Sequence, residues 1–185
     1  METNPELNRD QVSPEIKNML YIMAATARTA PKTKGQDTLI TVILDRDEMN
    51  RVADEMDRIA EERGEKWRFF SRDADNIRNS HGCLLIGINS PEGVRLECGA
   101  CGMRCADIEN KIDRDFRGPV CAFKSIDLGI ALGSAVYVAR QMGLDCRIHY
   151  TAGLAARRLG LIDADIVMAV PVSISGKNIF FDRKW

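Results

Sequence analysis

Residues 30–44 read Ala-Pro-Lys-Thr-Lys-Gly-Gln-Asp-Thr-Leu-Ile-Thr-Val-Ile-Leu. The last six form an unbroken apolar, β-branched run, which predicts a strand covered on both faces. Pro31 pushes Ala30 away from the α region, so a helix upstream must stop there. Such a helix is expected over 14–29: Ser13 caps it, Pro14 suits its first turn, and Ile16, Met19, Leu20, Met23 and Ala27 share one face. Residues 1–12 are read as a mobile arm. Beyond the strand, Asp45 with Glu48 forms a capping-box pair. Met49, Val52, Ala53, Met56, Ile59 and Ala60 then repeat at helical spacing until Gly64. Farther on, the patterning predicts strands over 84–88, 144–150 and 165–172, a helix over 152–159, and a last strand over 178–181. A helix over 124–142 is apolar nearly all round, which suits a buried element or a subunit interface. The expectation is one α+β domain, residues 13–185, interrupted by a polar, cysteine-bearing segment over about 90–121.

The 185 residues suffice for one domain with a sizeable core. Lys and Arg number 26 against 27 Asp and Glu, so no basic excess favours nucleic acid or an anionic membrane as a partner. The first residues lack the apolar core of a signal peptide. The longest nearly uncharged apolar stretch, 128–139, has 12 residues, against roughly 20 for a membrane span. A cytoplasmic protein is expected, in which six cysteines serve as ligands or buried thiols rather than disulfides.

Four of them, Cys98, Cys101, Cys105 and Cys121, follow the pattern C-x2-C-x3-C-x15-C. Iron–sulfur clusters are held by thiolates distributed in this way, several from one loop and another from farther along. Gly99 and Gly102 free the backbone to aim two sulfurs at one centre. Structural zinc also takes four cysteines, commonly from two short knuckles, and remains an alternative, as does a loop without metal. The order of spacings is the reverse of the C-x3-C-x2-C motif of radical adenosylmethionine enzymes. Arg95, Arg104, Arg114, Arg117 and Lys124 are nearly balanced by Glu97, Asp107, Glu109, Asp113 and Asp115. Cys83 and Cys146 fall in apolar strands and are read as core thiols. His81 and His149 have no ligand-spaced partner.

The sequences AATARTAPKTKG (24–35), CGACGMRC (98–105) and GPVC (118–121) resemble the prokaryotic "ferredoxin domain" proteins, over about 17–182. The cysteine motif is also similar to the 4Fe-4S domain of redox-complex and corrinoid-protein subunits, where the second gap is usually one residue longer. The resemblance implies one 4Fe-4S cluster on Cys98, Cys101, Cys105 and Cys121.

A second resemblance is to the flavin-dependent nitroreductases. It rests on Ala30 to Gln36 ahead of the first strand, the small-residue helix over 126–143, the segment over 144–150, Leu159-Gly160-Leu161, and the Ala169-Val170-Pro171-Val172 strand. It implies an α+β fold with a mixed sheet flanked by helices, a homodimer and an FMN site, for which Arg28, Lys32, Thr33 and Lys34 would hold the phosphate. The family's Arg-Arg-Ser-x-Arg segment and loop asparagine are absent. The other reading of these four residues is a solvated loop.

Three functions follow as expectations. One is an iron–sulfur redox protein transferring single electrons to a partner protein, or, with FMN, a flavin-dependent oxidoreductase acting on a small substrate. The second is a non-enzymatic structural or assembly module with a four-cysteine zinc site. The third is a redox or iron sensor; no DNA-binding motif accompanies it.

Overall fold

The structure, a computed structural model, describes residues 9–181. Its elements begin with α1 (Pro14–Thr29), whose first turn is capped by Ser13: the hydroxyl accepts the Ile16 N–H at 3.3 Å. A single 3-10 turn, Thr33–Gly35, leads to β1 (Leu39–Leu44). Both arms of the Asp45–Glu48 capping box form at the start of α2 (Arg46–Arg63), at 2.8 and 2.9 Å. There follow α3 (Phe69–Arg78), β2 (Gly82–Ile88), the two-residue strands β3 (Ile112–Asp113) and β4 (Arg117–Gly118), and α4 (Ala122–Gln141). The chain ends with β5 (Asp145–Cys146), α5 (Tyr150–Arg158) and β6 (Ile166–Ser173).

The main sheet has the order β1-β2-β6-β5, with every described pairing antiparallel. All seven residues of β2 are buried, and they sort by the two-residue period of a strand. Cys83 and Leu85 join the core formed with α2, α3 and α5, while Leu84, Ile86 and Ile88 join the core formed with α1 and α4. Strand β6 sorts in the same way, with Val167 and Ala169 on the first face and Val170 and Val172 on the second. Helices thus cover both faces of an α+β fold. The approach of α5 to β6 is closest at Gly153, where an added Cβ would lie 2.2 Å from the Val167 carbonyl oxygen.

Helix α4 is long and apolar enough to cross a membrane by length and composition. In the fold, Leu128, Ala131, Leu132, Ala135 and Ala139 are buried in the α1 side of the core. Its outer face exposes Ile126, Ile130 and Tyr137, with open space over Gly129 and Gly133.

Three expectations change. The strand expected over 144–150 is confined to β5. His149 makes only an isolated bridge to Ala169, and the chain then turns into α5, two residues earlier than expected. Residues 178–181 form a turn rather than a strand: Asn178 accepts the Phe180 N–H through its side chain, and Phe180 is buried against the His149 ring. Helix α3 was not anticipated. The expected arm lies outside the described residues up to residue 8; Val12 packs against both cores.

Candidate metal centre

The cysteine segment leaves the sheet at the end of β2 and returns at the start of α4. Its two ends are fastened together. The buried Ser90 donates its N–H to Asp165 Oδ2 at 2.7 Å, and its hydroxyl accepts the Cys121 N–H at 3.1 Å. Lys111 Nζ, from the middle of the segment, donates to the Ser90 and Pro119 carbonyls at 2.8 and 2.7 Å and lies 3.1 Å from Asp165 Oδ2. All three ammonium donors thus have a partner, and the one charge faces a carboxylate. Asp165 is itself held by the chain, since its N–H donates to Asn89 Oδ1 and to the Ile88 carbonyl. Spacing along the chain did not reveal Ser90, Lys111 or Asp165, because the residues they join are up to 75 positions apart.

All four candidate ligands are free thiols. Cys105 and Cys121 are buried, Cys101 is half-buried and Cys98 is exposed. Cys121 forms a small apolar cluster with Val94 and Ile108, against which Cys101 and Met103 pack. Cys101 thus borders the apolar cluster to which the distant fourth cysteine belongs. Among the described residues, no three side chains of His, Cys, Asp or Glu converge closely enough to hold a metal ion. Gly93 has φ +63°, and a Cβ on it would meet Cys121 Cβ at 3.2 Å and Sγ at 3.5 Å. Gly99 and Gly102 are also left-handed, as the tight CxxC turn requires. Arg95 and Glu97 adopt φ of 50° and 48°, unusual for side-chain-bearing residues. Glu97 accepts the Cys105 N–H at 3.4 Å.

The surrounding charges are paired, largely with the frame rather than with one another. Arg63 holds Asp115, which also accepts the Tyr150 hydroxyl; Arg157 holds Asp113, and Arg117 holds Asp163. The Asp115 carboxyl is thereby kept well below its ordinary range, chiefly by Arg63, while burial and Asp115 push Tyr150 up to about 12. By donor chemistry, four free thiols on a loop with fastened ends suit a thiolate-bound metal centre. Cys83 and Cys146 lie in the cores, and burial raises both thiols, Cys83 to about 12, so they serve as packing groups.

The four residues assigned to a flavin phosphate are each engaged within the chain. Arg28 pairs with Asp37 at 2.8 Å. Lys32 turns inward to the carbonyls of Arg28 and Ala30. Thr33 donates both its N–H and its hydroxyl to Asp127 Oδ1, at 2.9 and 2.8 Å. Lys34 donates to the Val94 carbonyl at 3.3 Å. A phosphate arriving here would have to displace carboxylates already in place, so as a phosphate cradle the set does not fit. Beneath the loop lies an ion pair between Lys124 and Asp127, 1% and 2% exposed, at 3.4 Å. The pair has the i, i+3 spacing of a helical ion pair, but nothing in that spacing shows that it is buried.

Comparison with known proteins bears on both halves of this architecture. A family model described as "Uncharacterized protein containing a ferredoxin domain (DUF2148)" matches residues 117–183, which include Cys121 but not the three clustered cysteines. An uncharacterised protein of Archaeoglobus fulgidus is 49% identical over 171 residues, 91% of each chain. A nitroreductase with bound FMN from Desulfitobacterium hafniense superposes with a TM-score of 0.58 at 13% identity, covering 92% of this chain and 82% of that one. A nitroreductase family protein from Clostridium novyi gives 0.55 at 15%, covering 87% and 74%. At such identities the likeness shows the fold alone: a nitroreductase-like frame. On the near full-length likeness to the archaeal protein and the matching family model, the chain belongs to the family of uncharacterised proteins containing a ferredoxin domain.

Proposed function

We propose that the protein is an iron–sulfur redox protein in which Cys98, Cys101, Cys105 and Cys121 hold one 4Fe-4S cluster on a nitroreductase-like frame. The observation that carries this reading is a set of four free thiols, with Cys101 packed against the cluster that contains Cys121, on a loop whose ends are fastened through Ser90, Lys111 and Asp165. Such a base ties the two ends of the loop together, which would lower the ordering cost of metal capture. When bound, the group would supply one-electron transfer, and the exposed Cys98 side would be the face open to a redox partner. FMN, named for the Desulfitobacterium structure, does not enter the proposal, because the loop that would take its phosphate is engaged with Asp37 and Asp127. We take the protein to act as a homodimer through the exposed face of α4.

The test is the iron, zinc, acid-labile sulfide and flavin content of protein prepared without oxygen. About four irons and four sulfides per chain are expected, with a visible charge-transfer band. One zinc without sulfide would replace this reading by that of a structural module.

A further inference from the structure

The loop that resembles the flavin loop touches the cysteine segment at both ends. Upstream, Lys34 Nζ donates to the carbonyl of Val94, a fully buried residue of the Cys121 cluster. Downstream, the loop meets the two turns of α4 that follow Cys121. Thr33 gives two hydrogen bonds to Asp127, and the Gln36 carbonyl accepts from the buried Lys124 Nζ at 2.6 Å. Lys34 holds φ +56°, a strained conformation that persists where surrounding contacts over-determine it.

We propose that the loop over 32–36 is the seat of the cysteine segment, with Thr33 and Lys34 as positioning residues for the cluster, and that Asp127 fills the place a flavin phosphate would need. The donors an oxyanion would seek, an N–H beside a hydroxyl, are spent on an internal carboxylate. Displacing it would leave Lys124 as a buried charge without its partner, a costly state. The loop thus holds Val94 and the first turns of α4 at a fixed separation, and with them the two ends of the cysteine segment. The positioning role rests on the cluster reading; the seat itself does not.

Two pairs of variants test it: Lys34→Met against Lys34→Arg, and Thr33→Val against Thr33→Ser. In the metal-free chain, Lys34→Met and Thr33→Val should speed amide exchange over residues 93–98 about tenfold, the effect of losing one hydrogen bond. The conservative partners should restore protection. In anaerobically loaded protein, the first member of each pair should retain less iron and sulfide after desalting and change the electron paramagnetic resonance line shape of the reduced cluster, again with rescue. FMN added to the wild type should keep its full fluorescence. Unchanged exchange in both variants would overturn the seat, as would saturable quenching of FMN that Thr33→Val abolishes. Wild-type protein that takes zinc or no metal would end the cluster reading, and the exchange measurement would still decide the seat.

Discussion

Gly93 and Cys121 meet across 27 intervening residues, and their contact sets the tolerance of the site. A methyl group on Gly93 would press on the Cys121 side chain and on Ile108 at 3.0 Å, in a left-handed conformation that alanine resists. Gly93→Ala should therefore lower the iron bound per chain while the far-ultraviolet circular dichroism stays unchanged; iron content equal to the wild type would count against the contact. A second residue governs acid stability. His149 is 2% exposed, neither ring nitrogen has a hydrogen-bond partner, and burial lowers it to about 4 despite Asp73 Oδ2 at 3.9 Å, with Arg147 and Arg72 also opposing its charge. Between pH 6.5 and about 4 the unfolded chain binds more protons than the folded one, so stability is lost as the pH is lowered through that window, on the order of 1 kcal/mol per unit. Urea titrations across it should show that slope, and His149→Leu should flatten it. At this scale the sequence was half legible. The four cysteines announce themselves by spacing, whereas Ser90, Lys111 and Asp165 carry no local signature, and neither does the hold of Thr33 on Asp127, because those partners lie far off in the chain.

Among the elements, α5 has the least room. An alanine at Gly153 would place its Cβ 2.2 Å from one backbone atom of Val167 and 2.7 Å from another, and neither belongs to a side chain that can swing aside. Gly153→Ala should cost about 3 kcal/mol or prevent folding, read from the chemical-denaturation midpoint; a near-neutral result would mean that α5 sits farther from β6. Helices α1 and α2 were readable because caps and apolar period agree with the final packing, as at Ser13 and at Asp45 with Glu48. Helix α3 escaped because its buried face includes a carboxylate, Asp73, which accepts the Thr151 hydroxyl at 3.0 Å. Polarity along the chain hid a burial that Arg72 beside it and Thr151 of α5 make tolerable. The 144–150 segment misled for a related reason: its residues have strand character, but β6 pairs with Asp145 and Cys146 and then only with His149, as an isolated bridge, before the N-terminus of α5 takes over.

For the molecule as a whole, the exposed stripe of α4 is where a second copy should sit. The proposed homodimer would use this stripe, where Ile126, Ile130 and Tyr137 flank two glycines with nothing within 4 Å. Light scattering should give twice the chain mass, and Ile130→Glu should return the monomer. Gly129→Ala offers an independent check. In an isolated chain it should add about 1 kcal/mol of helix stability, whereas a net loss would place a partner's backbone against it. The two main cores contain none of the four candidate ligands; Cys121 belongs to a satellite cluster with Val94 and Ile108, and Cys101 packs against it. Stripping the metal should accordingly leave the main thermal transition within a few degrees, with loss of protection confined to 90–121. On the proposed reading the frame would outlive its cargo: a chain that lost its cluster to oxygen would still be a folded receptacle, ready to be refilled rather than degraded and made again.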